Sequence, residues 1–159
     1  MTSLPQIDGL VMTPLRELAD ARGAVLHMLR ADAPPFRGFG ECYFSEIKPG
    51  IIKGWKRHRL QTQNLAVPHG RVRFAVFDNR ESSRTTGRLE LIELGRPDAY
   101  RLLSIPPMLW YVFACISATP ALIANCTDVP HDPAESEVLE LEAFENVKVS
   151  DLLGSGAGN

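Results

Sequence analysis

The sequence predicts an all-β protein, built as a small closed barrel or jelly roll. Twelve Gly and twelve Pro divide the chain into short runs rich in Val, Ile, Leu, Phe and Tyr. Such evenly punctuated runs are typical of antiparallel barrels and sandwiches. Long stretches with helical periodicity are scarce.

The strands are predicted in chain order from these runs. They comprise residues 24–29, 41–47, 51–57, 64–67, 71–78, 89–94, 100–105, 110–117 and 121–126. Residues 71–78 alternate so that one face of the strand is apolar and the other begins with two arginines. A tight turn at His69-Gly70 precedes this strand, and Pro106-Pro107 ends the strand at 100–105 because proline donates no backbone hydrogen bond.

Two short segments are predicted to be single helical turns, residues 14–20 and residues 132–139. In the second, Asp132 and Pro133 suit a helix start. The residues from Gly154 onwards are small and polar, so their burial cannot offset the entropy of ordering them. We therefore expect one domain over residues 1–150 and a flexible tail over residues 151–159.

The composition excludes several classes of function. With 159 residues, 45% of them hydrophobic, the chain is long enough for one core. A net charge of -2 does not favour nucleic-acid binding, which needs a surplus of Lys and Arg. No apolar run approaches the roughly 20 residues of a membrane helix, and the start has no leader pattern. The three cysteines are an odd number, as expected of free thiols. We expect a cytoplasmic protein with no membrane partner.

A series of short motifs runs in order from about residue 15 to about residue 133. They are Asp20-Ala-Arg22-Gly23, Ser45, Lys53-Gly54-Trp55, Asp78-Asn-Arg80-Glu-Ser-Ser-Arg-Thr-Thr-Gly87, Ile105-Pro-Pro-Met-Leu-Trp-Tyr-Val-Phe113, Asn125-Cys-Thr-Asp128 and Asp132-Pro133. In order and spacing the chain resembles the dTDP-4-dehydrorhamnose 3,5-epimerase family, cupin barrels that act on nucleotide-linked 4-keto sugars. The resemblance implies a cupin double-stranded β-helix. It also implies a homodimer in which the first strands, 24–29 among them, exchange between copies.

At the catalytic positions this chain departs from the family that it resembles. Lys56 stands where the family has its catalytic histidine, Tyr111 where it has a second pocket histidine, and Ala124 where it has a tyrosine acid. Three interpretations are open. Lys56 acts as a base if burial disfavours its ammonium form; His58, on the same strand face, takes over; or Lys56 only holds an anion. The predicted catalytic residues are therefore Lys56, His58 and Tyr111, and Asp151 is the candidate for the orienting carboxylate.

The ligand-binding prediction rests on the same resemblance. Arg22 matches an arginine that helps to bind the nucleotide diphosphate, and Ser45 matches a family serine. Glu41 and Tyr43 replace a glutamine and an asparagine. His27 stands where the family has a glutamate that can face the ligand, and a structural role for His27 is the alternative. The complete set is Arg22, His27, Glu41, Tyr43, Ser45, Lys53, Gln63 and Asn64.

No cofactor or metal is expected. Cupin metal sites use several histidines and a glutamate, whereas here Lys56, His58, Gln61 or Gln63, and Tyr111 occupy those positions. The family that the chain resembles is metal-free. The function predicted is that of an epimerase-like protein that acts on or binds a nucleotide-linked 4-keto-deoxy sugar in carbohydrate biosynthesis. The alternatives are a non-catalytic sugar-nucleotide binding cupin and a related sugar-ketone isomerase, so whether the protein is an enzyme stays open.

Overall fold

A computed structural model describes residues 5–154. Twelve strands and two short 3-10 helices, Pro133–Glu135 and Val149–Leu153, account for the regular structure of this part of the chain. The strands are β1 Val11–Pro14, β2 Glu17–Asp20, β3 Gly23–Leu26, β4 Glu41–Ile47, β5 Ile52–His58, β6 Gln63–His69, β7 Arg71–Phe77, β8 Leu89–Gly95, β9 Arg101–Ile105, β10 Trp110–Cys115, β11 Ala121–Thr127 and β12 Ser136–Val138. Among residues 5–154 no helix is long and apolar enough to cross a bilayer.

The strands form two five-stranded sheets and one separate hairpin. Sheet one has the order β1-β9-β6-β11-β4, sheet two has the order β12-β5-β10-β7-β8, and β2 pairs with β3 alone. The pairings are antiparallel. This is the double-stranded β-helix of the cupins, so the predicted fold class is confirmed.

The main core lies between the two sheets. Ile47, Leu103 and Ile123 from sheet one meet Phe74 and Val76 from sheet two, and each is at least 98% buried. Alternate residues of each strand supply this layer, as the two-residue period of a strand requires.

Two smaller apolar clusters cover the outer faces of the sheets. Behind sheet two, Trp55 and Trp110 pack under Phe144, Val147 and Leu152 of the C-terminal segment. Behind sheet one, the buried residues Ala66, Tyr100 and Leu102 are covered by residues in and next to the β2–β3 hairpin, namely Leu15, Leu26, Met28 and Leu29.

Strand pairing corrects the first predicted helical turn and shortens the second. Residues 14–20 contain β2, which pairs with β3 about a turn at Asp20–Gly23. In residues 132–139 only Pro133–Glu135 is helical, and β12 follows at once and pairs with β5. The sequence prediction also missed β1, a four-residue edge strand whose partner β9 lies about 90 residues away. Such pairings are decided by distant segments and leave little local signal.

The packed part of the chain continues beyond residue 150. Leu152 is 99% buried, and its carbonyl accepts a hydrogen bond from Arg73 Nη1 at 2.8 Å. The domain boundary expected at residue 150 therefore falls inside the second 3-10 helix. Residues 155–159 of the predicted tail lie outside the described residues.

Candidate active site

A cavity of about 250 Å³ opens between the two sheets. Its apolar lining comes from both sheets: Leu65, Phe74, Phe113, Ile123 and Val138. Its polar side chains come from β4, β5, β10 and β11: Tyr43, Ser45, Lys53, Lys56, Tyr111 and Asn125. An apolar pocket with a few convergent polar groups is typical of a small-molecule site.

An irregularity in β5 brings two lysines to this cavity. Tyr111 lies opposite Lys56 but Phe113 lies opposite Lys53, so β5 has one residue more than β10 between these pairs. Such a bulge changes which side chains share a face. Lys53 and Lys56 both line the cavity although they are three residues apart.

A buried carboxylate and imidazole lie beside the cavity wall. His58 Nδ1 contacts Glu135 Oε1, and the two residues are 97% and 95% buried. The other carboxylate oxygen accepts backbone N–H groups from Arg59 at 3.1 Å, Leu60 at 3.0 Å and Gln61 at 3.3 Å. Glu135 is held here because the residue after it, Ser136, pairs with His58 in the β12–β5 ladder. A buried carboxylate with this many partners is well satisfied.

The electrostatics of this pair favour a neutral imidazole. Burial lowers the pKa of His58 and outweighs the opposing effect of Glu135. Burial raises the pKa of Glu135, but the hydrogen bonds from His58 and from the Leu60 and Gln61 backbone outweigh it, so the net pKa lies below the usual value. Nδ1 therefore carries the proton toward Glu135, and Nε2 is left as an acceptor.

Tyr111 connects this imidazole to the cavity. Its hydroxyl lies 3.3 Å from His58 Nε2, and the two rings are within 14° of parallel. Burial strongly raises the pKa of Tyr111, so the phenol keeps its proton and donates it to Nε2. Glu135, His58 and Tyr111 thus form a hydrogen-bonded chain that ends at the cavity wall.

The structure brings together most of the residues predicted from sequence. Tyr43, Ser45 and Lys53 line the cavity, and Lys53 Nζ also donates to the Glu46 carbonyl at 3.0 Å. Gln63 lies one layer behind, where its Oε1 accepts from Asn125 Nδ2 at 2.6 Å. The remaining member of this group, Glu41, sits on β4 two residues before Tyr43, and its Oε1 is buried without a partner among residues 5–154.

Other predicted binding residues lie away from the cavity. Asn64 is on the opposite face of β6 from Gln63, where it accepts from Ser104 Oγ at 2.7 Å. Arg22 is at the tip of the hairpin, exposed and paired with Asp20. His27 follows β3, and its carbonyl accepts from the Tyr100 hydroxyl on the outer side of sheet one.

Two positions considered for catalytic roles, Asp151 as a candidate carboxylate and Ala124 from the resemblance, do not lie at the cavity. Asp151 is exposed in the second 3-10 helix, behind sheet two, and the carboxylate that contacts His58 is Glu135. Ala124 is buried opposite Ala66, on the other face of β11 from the cavity residues Ile123 and Asn125. A tyrosine at position 124 would therefore not face the cavity.

Glu135 and Asn125 are the site residues that sequence reasoning missed. Glu135 was predicted to lie in a helical turn, and only the β12–β5 pairing brings it to His58. For Asn125 a signal was present, because alternation along residues 121–126 places it on the same face as Ile123.

Comparison with known proteins decides the family. The family model described as dTDP-4-dehydrorhamnose 3,5-epimerase matches residues 5–147. The chain belongs to this family. A dTDP sugar isomerase from Desulfovibrio desulfuricans G20 is similar in structure, with a TM-score of 0.85 and 49% identity, over 91% of this chain and 96% of that one.

Two further relatives are similar in sequence. A probable low-salt glycan biosynthesis epimerase from Haloferax volcanii is 30% identical over 77% of this chain and 79% of its own length. A spore coat polysaccharide biosynthesis protein from Bacillus subtilis is 28% identical over 82% and 86%. The epimerase family and these relatives indicate a dTDP-sugar epimerase-like or isomerase-like function in glycan or polysaccharide biosynthesis, which confirms the prediction from the motifs.

Proposed function

We propose that this protein binds a nucleotide-linked 4-keto-deoxy sugar in the cavity and moves protons at the carbons next to the ketone. The observation that carries the proposal is the buried chain from Glu135 through His58 to Tyr111, which ends at the cavity wall beside Lys56. A proton next to a ketone is acidic because the resulting enolate spreads its charge onto the ketone oxygen. A base and a group that stabilises the oxygen are the two requirements.

The proton path follows from the hydrogen bonds. As the Tyr111 oxygen takes the proton from the substrate carbon, its own proton passes to His58 Nε2. The imidazole becomes an imidazolium, which the Glu135 carboxylate stabilises through Nδ1. The electron pair of the broken C–H bond moves onto the ketone oxygen, and the reverse transfer returns a proton to carbon. A neutral His58, as burial favours, is the form that accepts the proton.

Lys56 supplies the charge that this step needs. It is paired with Tyr111 across β5 and β10, and both side chains line the cavity. Its ammonium group next to the ketone oxygen would stabilise the enolate as it forms. We therefore assign Lys56 as a fixed cation, and His58 and Tyr111 as the groups that move the proton.

A homodimer completes this proposal. The β2–β3 hairpin exposes Leu18 and Val25 by 48% and 62%, with Arg22 at its tip. We propose that this hairpin packs against a second copy, where burial of the two apolar side chains favours association. Arg22 would then reach the diphosphate of a ligand bound by that copy. A monomer in sedimentation at micromolar concentration would contradict this part of the proposal.

The test is proton exchange with solvent. We expect a dTDP-4-keto-6-deoxy sugar, incubated with the protein in D₂O, to incorporate deuterium at C3 or C5, as followed by NMR. His58→Asn and Glu135→Gln should both slow the exchange, because the first removes Nε2 and the second the charge that stabilises the imidazolium. His69→Asn, an exposed histidine at the end of β6, is the matched control and should exchange normally.

The same experiment separates the alternatives. Tight binding without exchange would support a non-catalytic sugar-nucleotide module. Exchange with a product whose ketone has moved along the ring would support a sugar-ketone isomerase. Exchange that is unchanged in His58→Asn would refute the proton path through His58 and Tyr111.

A further inference from the structure

The cavity wall on the side of sheet one contains a chain of three buried amides whose direction is fixed by the backbone. The chain begins at Gln61, where Nε2 donates to the carbonyls of Val129 at 2.9 Å and Pro130 at 3.0 Å. Carbonyl oxygens only accept, so the NH₂ group of Gln61 must face them. The oxygen of Gln61 is thereby turned toward Gln63.

This direction passes along the chain to the cavity. Gln63 Nε2 donates to Gln61 Oε1 at 2.9 Å, and Gln63 Oε1 accepts from Asn125 Nδ2 at 2.6 Å. The second N–H of Asn125 donates to the Tyr43 hydroxyl at 2.8 Å. All three amide side chains are at least 97% buried, so bulk water does not compete for their hydrogen bonds.

Two polar groups at the end of this chain can each form a further hydrogen bond. Because the Tyr43 oxygen accepts from Asn125, the Tyr43 proton points elsewhere, and within residues 5–154 it meets no acceptor. Asn125 Oδ1 is buried and has no partner in the same part of the chain. Both residues line the cavity. A buried unpaired acceptor costs free energy unless a ligand or an ordered water supplies the missing donor.

We propose that Tyr43 and Asn125 form a subsite that binds one free hydroxyl group of the sugar ring. The hydroxyl oxygen accepts from the Tyr43 O–H, and the hydroxyl proton is donated to Asn125 Oδ1. A hydroxyl matches this pair because it both accepts and donates, whereas a ketone only accepts. This inference rests on the proposed function, and it adds that the sugar presents a hydroxyl to β4 and β11 while its ketone faces Lys56 and Tyr111.

The experiment compares dTDP-glucose with each of its monodeoxy analogues by calorimetric titration. For the wild type, we expect one of these deoxygenations to weaken binding by about 10-fold or more, because it leaves both protein groups unpaired. Tyr43→Phe should lower the affinity for dTDP-glucose by a similar factor. Its affinity for that same deoxy analogue should be about that of the wild type. Tyr100→Phe, which removes a tyrosine hydroxyl behind sheet one, is the control and should keep the wild-type pattern.

The outcomes distinguish this inference from the function on which it rests. If the wild type binds dTDP-glucose but no single deoxygenation weakens its binding, the subsite is refuted and the proposed function stands. Equal weakening of every analogue by Tyr43→Phe would refute it as well. If neither dTDP-glucose nor a 4-keto-6-deoxy analogue binds, both the function and the subsite fail. The wild-type series alone decides the question if Tyr43→Phe does not fold.

Discussion

Glu135 and His58, 77 residues apart in the chain, form a buried hydrogen-bonded pair next to the cavity. The pairing of Ser136 with His58 in the β12–β5 ladder holds them together, so the fold itself positions the candidate base. Three backbone N–H groups donate to the second oxygen of Glu135 and help to compensate its charge. His58 can therefore stay neutral while it remains hydrogen-bonded to a carboxylate.

The pair makes stability depend on pH. Burial lowers the pKa of His58 in the folded state below the unfolded value of about 6.5, so the unfolded state binds its proton more readily. The stability due to a neutral His58 is complete above that value and is lost as pH falls below it. We expect the free energy of unfolding, measured in urea, to fall between about pH 7 and pH 5.

His58→Asn should flatten this slope, because asparagine can still donate to Glu135 but does not titrate. His69→Asn, on an exposed histidine, should keep the wild-type slope. An unchanged slope in His58→Asn would show that another group titrates. The pKa of Glu135 in the folded state is lowered, so further stability should be lost at lower pH, where its carboxylate becomes protonated.

Asp78 should be a major determinant of stability. It is fully buried and accepts hydrogen bonds from the Arg80 backbone and guanidinium, from Ser83 Oγ and from Thr85 Oγ1. Burial raises the pKa of Asp78, but these donors outweigh it and hold the pKa far below the usual range. Asp78→Asn replaces an acceptor with a donor and should cost about 3–5 kcal/mol in chemical unfolding. Glu81→Gln, exposed on the same loop, should cost little, and an equal cost in both would contradict the role of the network.

The role of Lys56 is tested by a pair of variants. As a fixed cation, Lys56 should be replaceable by arginine with most of the deuterium exchange retained, whereas Lys56→Met should lose about 100-fold or more. Equal loss in both variants would contradict the assignment of Lys56 as a fixed cation. Lys48→Met, at an exposed turn, controls for the loss of one positive charge.

Cys42 and Cys126 are placed to form a disulfide. They lie directly opposite each other on β4 and β11, with their sulfur atoms 3.2 Å apart. Opposed residues of antiparallel strands have Cα separations compatible with a disulfide. Burial raises the pKa of Cys126 to about 12, so the exposed Cys42 thiol is the one that an oxidant meets first.

Hydrogen peroxide should therefore convert the two thiols into one S–S bond, with the two hydrogens passing to water. Peptide mass spectrometry should find the Cys42–Cys126 link and a free Cys115. The variant Cys42→Ser should form no link within the chain. A link that instead contains Cys115 would contradict the arrangement on sheet one.

The turn before β7 should not tolerate a side chain. Gly70 has φ of +75°, and a Cβ there would lie 2.6 Å from the Ala121 Cα. Gly50 has a similar φ of +70° but open space around it. Gly50→Ala should therefore cost about 1–2 kcal/mol from backbone strain alone. Gly70→Ala should cost about 1–3 kcal/mol more. If the two variants lose equal stability in thermal or chemical unfolding, the backbone around Gly70 must shift to accommodate the added Cβ.

The order of the strands could be predicted from sequence because each long strand carries its own signal. The runs at 41–47 and 71–78 agree with β4 and β7 to within one residue, since alternation and turn residues act locally. The same alternation places Lys56 and His58 on one face. Alternation alone would place Lys53 on the opposite face from Lys56, although the family resemblance did predict Lys53 as a binding residue. Both side chains line the cavity because of the bulge in β5, which depends on its pairing with β10.

By itself, the sequence determined the all-β class, the family and the strand that carries Lys56 and His58, because periodicity and motif spacing are properties of neighbouring residues. Only the tertiary structure decided that Glu135 rather than Asp151 contacts His58, that Ala124 faces away from the cavity, and that Asn125 lines it. These facts depend on which strands pair and in which register. Register is set by the packing of whole sheets, so distant residues become neighbours without any local signal.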